Sequence, residues 1–211
     1  NLDVIYSNDP DELLPTAMLH AADGRLRLRN ILQHPFFSRY DAIIVDSKGA
    51  TGVMTELSLL SSSGNVMGVV KPILPDVREF IRGSLHMLTR LKTYENYGIR
   101  LPDISILVNC IENTLLDREA MDGLATIINE KHYDATALGN RDVYRLLGTR
   151  IEALDIFKLG HVKQQPVHRL EYKTRRKGPA AAVTMHALAC ELFPEWQPRF
   201  RDVLTRVERH V

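Results

Sequence analysis

Two hydrophobic signatures alternate along this chain: short unbroken apolar runs, and longer stretches whose apolar residues recur with helical spacing. Leu2 to Ser7 reads as a strand. It ends at Asn8-Asp9-Pro10, a turn in which Asp9 or Asp11 can cap the next helix. Leu13, Leu14, Met18, Leu19, Leu26, Ile31 and Leu32 mark a helical stretch to about Gln33, which Gly24 divides. Tyr40-Asp41-Ala42-Ile43-Ile44-Val45-Asp46 is the clearest strand, because four consecutive apolar residues suit a strand covered on both faces in a parallel sheet. After a loop over 47–52, Val53 to Leu60 predicts a short helix and Val66 to Val70 a second apolar strand. Val77, Phe80, Ile81, Leu85, Leu88 and Leu91 form the stripe of a helix that starts near Asp76. A strand from Ile104 to Val108 ends at Asn109, a helix runs from about Asp117 to Lys131, and Val143 to Leu147 reads as a fourth strand. Gly160 to Arg176 is polar and reads mostly as loop. Ala180 to Phe193 is a helix that Pro194 stops, and Pro198 opens a last one with Phe200, Val203, Leu204 and Val207 on one face. This alternation predicts an α/β fold with a mostly parallel sheet flanked by helices.

Composition narrows the class. The chain has 211 residues, 45% hydrophobic and 25% charged, which is ample for a well-buried core and excludes a disordered chain, a fibrous repeat or a small disulfide scaffold. No apolar run approaches the ~18 residues of a membrane-spanning helix. Cys110 and Cys190 lie in apolar surroundings without a CxxC and read as buried thiols of a reducing cytosol. No leader is visible, and a chain that opens on Asn1 directly with a strand reads as a fragment. The formal charge of +1 hides an asymmetry: residues 158–211 carry 11 basic against five acidic side chains. Arg169, Lys173, Arg175, Arg176 and Lys177 place five cations within nine residues, a cluster able to neutralise phosphates and release counterions from DNA.

Ligands of open α/β sheets bind beyond the carboxyl ends of the strands, where Asp46, Lys71-Pro72 and Asn109 are expected. An apolar strand ending in Asp is the pattern that supports Mg²⁺ in P-loop hydrolases, and it is also the pattern of a simple turn cap. The Asn109 amide offers a donor and an acceptor to a purine edge, or caps a turn. No GxxxxGK[ST] phosphate loop, HExxH or GxSxG occurs, and the eight histidines are scattered.

In order and spacing, Tyr40 to Asp46, Thr55-Glu56-Leu57-Ser58-Leu59-Leu60, Val69-Val70-Lys71-Pro72-Ile73-Leu74-Pro75, Arg78 to Gly83, Leu107-Val108-Asn109, Pro166 to Glu171 and Glu191-Leu192-Phe193-Pro194 resemble the ParA family of DNA-partition ATPases, in the deviant-Walker-A group that includes MinD. The resemblance covers the C-terminal two-thirds of a family member. It implies a P-loop-type sheet, with residues 1–178 belonging to the nucleotide-binding domain and 179–211 forming a helical segment packed on it. The first strand and the phosphate-binding loop are then expected upstream of Asn1. Carried over, Asp46 supports Mg²⁺ through water and is the catalytic residue of this portion. Pro72, Pro75 and Asn109 border the adenine, and Thr149-Arg150-Ile151, after the last strand, closes on it. The implied function is a cytoplasmic, nucleoid-associated ATP hydrolase whose ATP-bound homodimer binds nonspecific DNA through Arg169, Lys173, Arg175, Arg176 and Lys177. A ParB-like centromere-binding protein would regulate it. Ser47-Lys48-Gly49 stands where many members have Thr-Pro-Pro. Two alternatives are a non-catalytic DNA- or partner-binding module, and a MinD-like membrane-associated ATPase using the last helix with Arg199, Arg201, Arg206 and Arg209.

Overall fold

Three apolar runs pair into a parallel sheet in the order β1 (Asn65–Val70), β2 (Asp103–Ile111), β3 (Tyr144–Glu152). The structure is a computed structural model that describes residues 2–6, 9–47, 49 and 51–202. The helices are α1 (Leu14–His20), α2 (Arg27–Leu32), α3 (Val53–Ser61), α4 (Leu74–Leu91), α5 (Leu115–Asn129), α6 (Asp155–Lys163), α7 (Val167–Leu170) and α8 (Ala181–Leu192). The fold is thus α/β, a parallel sheet flanked by helices. The chain divides into two compact units: Asn1–Val66 with Arg82–Asp103 and Asp134–Val143, and Met67–Ile81 with Ile104–Tyr133 and Tyr144–Val211.

The second unit is built on β2. Its residues from Ile104 to Val108 are buried without interruption, as expected of a strand covered on both faces. Leu107, Leu147 and Ile151 form a cluster against Phe157 of α6 and Met185, Leu188 and Leu192 of α8. Helix α5 packs on β3 and buries Ala120, Met121, Leu124 and Ile128, a stripe with helical spacing. Thr114 and Asp117 start α5 with a reciprocal capping box. Tyr144 meets Tyr133 edge-on, with ring centroids 5.0 Å apart, and its hydroxyl donates to the Ile81 carbonyl at 3.1 Å. Gly68 permits the approach of α4 to β1, because a Cβ there would sit 2.1 Å from the Phe80 ring.

The first unit packs α1, α2 and α3 around a buried charge. Glu56 on α3 is 2% exposed and takes Arg25 Nε at 2.5 Å and Arg90 at 2.8 Å. Both carboxylate oxygens are therefore matched by guanidinium donors, the condition under which a buried ion can be held. Gly24 divides the helical stretch as its sequence position predicts. A Cβ there would lie 1.8 Å from the Met18 carbonyl oxygen, so the 3-10 turn over Gly24–Leu26 folds back on α1 only with glycine.

Several expectations are corrected. Residues 2–6 and 41–47 take no strand pairing, although both runs have strand composition. Leu2, Val4, Ile5 and Tyr6 are exposed, as are Ile43, Val45 and above all Ile44 at 82%. A strand exists only through a neighbour's hydrogen bonds, and these runs have none in the ladder. Of the apolar residues expected to be buried before Gln33, Met18 is buried while Leu13, Leu19 and Ile31 are exposed. The polar stretch read as loop from Gly160 to Arg176 contains the last turn of α6 and all of α7, which packs on both α6 and α8. Strand β3 runs to Glu152, so Thr149-Arg150-Ile151 lies within it rather than after it. Cys110 is exposed and Cys190 half-buried. The strand end at Ser7, Lys48 in the loop after Asp46, and Val203, Leu204, Arg206, Val207 and Arg209 of the last helix fall outside the described residues.

Replacing Arg25 and Arg90 together with alanine strands the Glu56 carboxylate and should cost about 3–5 kcal/mol, measured by urea unfolding. Glu56→Gln should cost less, because it removes the buried charge along with its partners' attraction. Equal losses would show that the carboxylate is reached by water.

Candidate functional site

Sheet register shapes the site. Ile106 pairs with Leu146, then Val108 pairs with Arg150, so β3 spends four residues where β2 spends two; next Ile111 pairs with Glu152, so β2 spends three where β3 spends two. These opposed bulges bend both strands at their carboxyl ends. Cys110, with φ of 60°, occupies the surplus position of β2. A cavity of about 230 Å³ lies there. Its floor includes Ile111, Met121, Leu154 and Phe157, and its polar groups are Asn113, Arg150, Glu152 and Thr184. Asn113 Nδ2 donates to Glu152 Oε1 at 3.3 Å, which leaves the amide oxygen and the second carboxylate oxygen as acceptors at the rim. A few polar groups converging on an apolar floor can orient a small planar ligand, and the volume suits a ring system rather than a drug-sized molecule.

The loop from Glu171 to Pro179 is organised by one ion pair. Arg176 donates from Nη1 to Glu171 Oε1, and to Thr174 Oγ1 at 2.9 Å, and from Nη2 to the Pro179 carbonyl at 2.7 Å. Glu171 Oε2 in turn accepts the Ala181 N–H at 2.8 Å, at the start of α8. Burial raises the Glu171 carboxyl, but the Arg176 and Ala181 hydrogen bonds and the guanidinium charge outweigh it and hold the group below the ordinary carboxylate range. With Arg176 turned inward, Arg169, Lys173, Arg175 and Lys177 remain exposed.

The sequence-derived site residues divide accordingly. Arg150 lines the cavity. Thr149 is half-buried, with its N–H given to Glu191 at 2.9 Å, and Ile151 is buried in the core cluster. Pro72 is buried and Pro75 exposed; neither they nor Asn109 line the cavity. Asn109 lies within β2, which runs on to Ile111 rather than ending there, and its side-chain oxygen accepts the Cys110 N–H at 2.9 Å. Asp46 belongs to the first unit and is exposed. A nucleotide-bound Mg²⁺ needs one or two carboxylates besides phosphates and water, and an exposed Asp46 is chemically compatible with that. Among the described residues no three His, Cys, Asp or Glu side chains converge as a metal site. None of their helices is long and apolar enough to cross a membrane.

Sequence reasoning missed Asn113, Glu152 and Glu191. Asn113 was findable, because it stands between a strand end and the T-x-x-D cap of α5. Glu152 and Glu191 carry no local signal, since each acts on partners distant in the chain.

Compared with known proteins, the chain matches no family model, no curated protein and no solved structure.

Glu171→Gln removes a carboxyl held below its unfolded value, a contribution complete above the ordinary carboxylate range and lost as pH falls through it. The variant should lose about 1.5–3 kcal/mol at neutral pH, and its stability should vary less than the wild type's between about pH 7 and pH 3. Denaturant unfolding across that range is the check.

Proposed function

We propose that this chain is the C-terminal portion of a ParA-like partition ATPase that binds a purine nucleotide and nonspecific DNA. The observation that carries the reading is the cavity at the carboxyl ends of β2 and β3, the edge where α/β sheets bind ligands. Arg150, a residue the family resemblance assigns to the base, stands in its wall. The base would lie on the apolar floor with its edge toward Asn113 and Glu152. By the same resemblance Asp46 would support Mg²⁺ through water, an ion that neutralises phosphate charge when bound. Dimerisation on ATP and control by a ParB-like partner follow from the same resemblance.

The DNA surface in this reading is the exposed set Arg169, Lys173, Arg175 and Lys177. Arg176 supports it from within by holding the loop. Binding through phosphates alone is sequence-independent and weakens steeply with salt.

A second reading, a DNA-binding module without catalysis, is favoured by one observation: Ser47-Lys48-Gly49 stands where many family members have Thr-Pro-Pro. Residues encoded upstream of Asn1 decide between them, a deviant Walker A loop for the ATPase and its absence for the module.

Two measurements test the proposal. Lys173, Arg175 and Lys177 changed together to Glu should abolish gel retention of a random DNA duplex at low salt with an unchanged melting midpoint. Neutralising them with Gln should lower the salt slope by about 3. The 211-residue chain alone should not turn over ATP, and the protein extended upstream should, with Asp46→Ala abolishing Mg²⁺-dependent turnover; full activity of that variant would reduce Asp46 to a turn cap.

A further inference from the structure

We infer that Glu191 is a positioning residue for the cavity, holding the β3 bulge from which Arg150 enters the cavity wall; this rests on reading the cavity as a purine site. The two surplus residues of β3 fall between Leu146 and Arg150. A bulge leaves its extra residues outside the ladder, and here the N–H groups of Gly148 and Thr149 are given to one carboxylate. Gly148 donates to Glu191 Oε1 at 2.6 Å and Thr149 to Oε2 at 2.9 Å. Two successive amides matched by the two oxygens of one carboxylate make a fixed fork. Gly148 and Arg150, on either side of Thr149, both line the cavity. Glu191 therefore holds one wall residue, Gly148, directly and lies one residue from the other, Arg150.

Glu191 is itself anchored. It sits on α8 beside Leu188 and Leu192, which pack on Leu107, Leu147 and Ile151. Burial pulls its carboxyl upward, but the Gly148 and Thr149 amides, the Thr149 hydroxyl and the Arg145 charge outweigh this and keep it ionised below the ordinary range. An ionised acceptor makes the stronger hydrogen bond, so the clamp is at full strength at neutral pH. Glutamine is not equivalent, because its NH₂ would face one of the two amide donors. A site group needs support of this kind to hold a productive direction, and loss of such support typically weakens binding without removing a contact.

The test is a fluorescence titration of methylanthraniloyl-ATP and methylanthraniloyl-GTP into the full chain. Wild type, Glu191→Ala, Glu191→Gln, Arg150→Ala and the Glu191→Ala/Arg150→Ala double variant are compared, with melting midpoints and hydrogen exchange over 146–150 measured alongside. The expected result is an affinity loss of about tenfold for Glu191→Ala, as for other lost supporting groups, and a smaller loss for Glu191→Gln. Exchange should be faster at Gly148 and Thr149. Because Glu191 acts through Arg150, the double variant should bind no more weakly than Arg150→Ala, while the two stability losses add. If Glu191→Ala does not fold, Glu191→Gln and the exchange data carry the comparison. A wild type that binds and a Glu191→Gln or Glu191→Ala that binds equally well would overturn the positioning role and leave the purine reading intact, as would additive binding losses. A wild type that binds neither probe would overturn the purine reading and the role with it.

Discussion

The pairing of β2 with β3 is the constraint on which the second unit depends. Strand β2 is buried along most of its length and β3 buries Tyr144, Leu147 and Ile151, so neither can slip by one residue without turning core side chains to the wrong face. Surplus residues must therefore leave the ladder as bulges, and two do so in opposite strands within a few residues. The same departure opens a cavity at the carboxyl edge and frees the amides that Glu191 takes up. Cavity, clamp and strand curvature are three consequences of one register.

Carboxylates organise what hydrophobic packing alone would leave loose. Glu56 joins segments of the first unit that lie far apart in sequence by accepting Arg25 and Arg90. Glu171 ties the basic loop to the start of α8, and Glu191 ties the end of α8 to β3. In each case the acid is at least half-buried and its oxygens are met by matched donors, so desolvation is offset by charge-assisted hydrogen bonds. One result is a division of labour within the cationic cluster. Arg176 is spent on structure, and that leaves its neighbours turned to solvent, where a polyanion can reach them.

The exposed run Ile43-Ile44-Val45 shows the other side of the same physics. Apolar, β-branched composition is a demand for burial, but a strand forms only when a second backbone supplies hydrogen bonds on at least one side. In the described structure β1, β2 and β3 meet that condition and the runs at 2–6 and 41–47 do not.

The sequence by itself determined the alternation of elements. The stripe from Val77 to Leu91, the runs at 66–70 and 104–108 and the helical stretch from about Asp117 to Lys131 set α4, β1, β2 and α5, because spacing is a local property of the chain. It also located the basic cluster, since charge is additive. Tertiary structure alone decided which apolar runs became strands, how far β3 extends, and that Gly160 to Arg176 holds the end of α6 and the one-turn α7, whose stability comes from packing rather than propensity. It decided, too, that Arg176 points inward, that Arg150 meets Asn113 and Glu152 at one cavity, and that Glu191 reaches across more than 40 residues to two amides. These are long-range pairings, fixed by the geometry of closed packing, and no local pattern of residues encodes them.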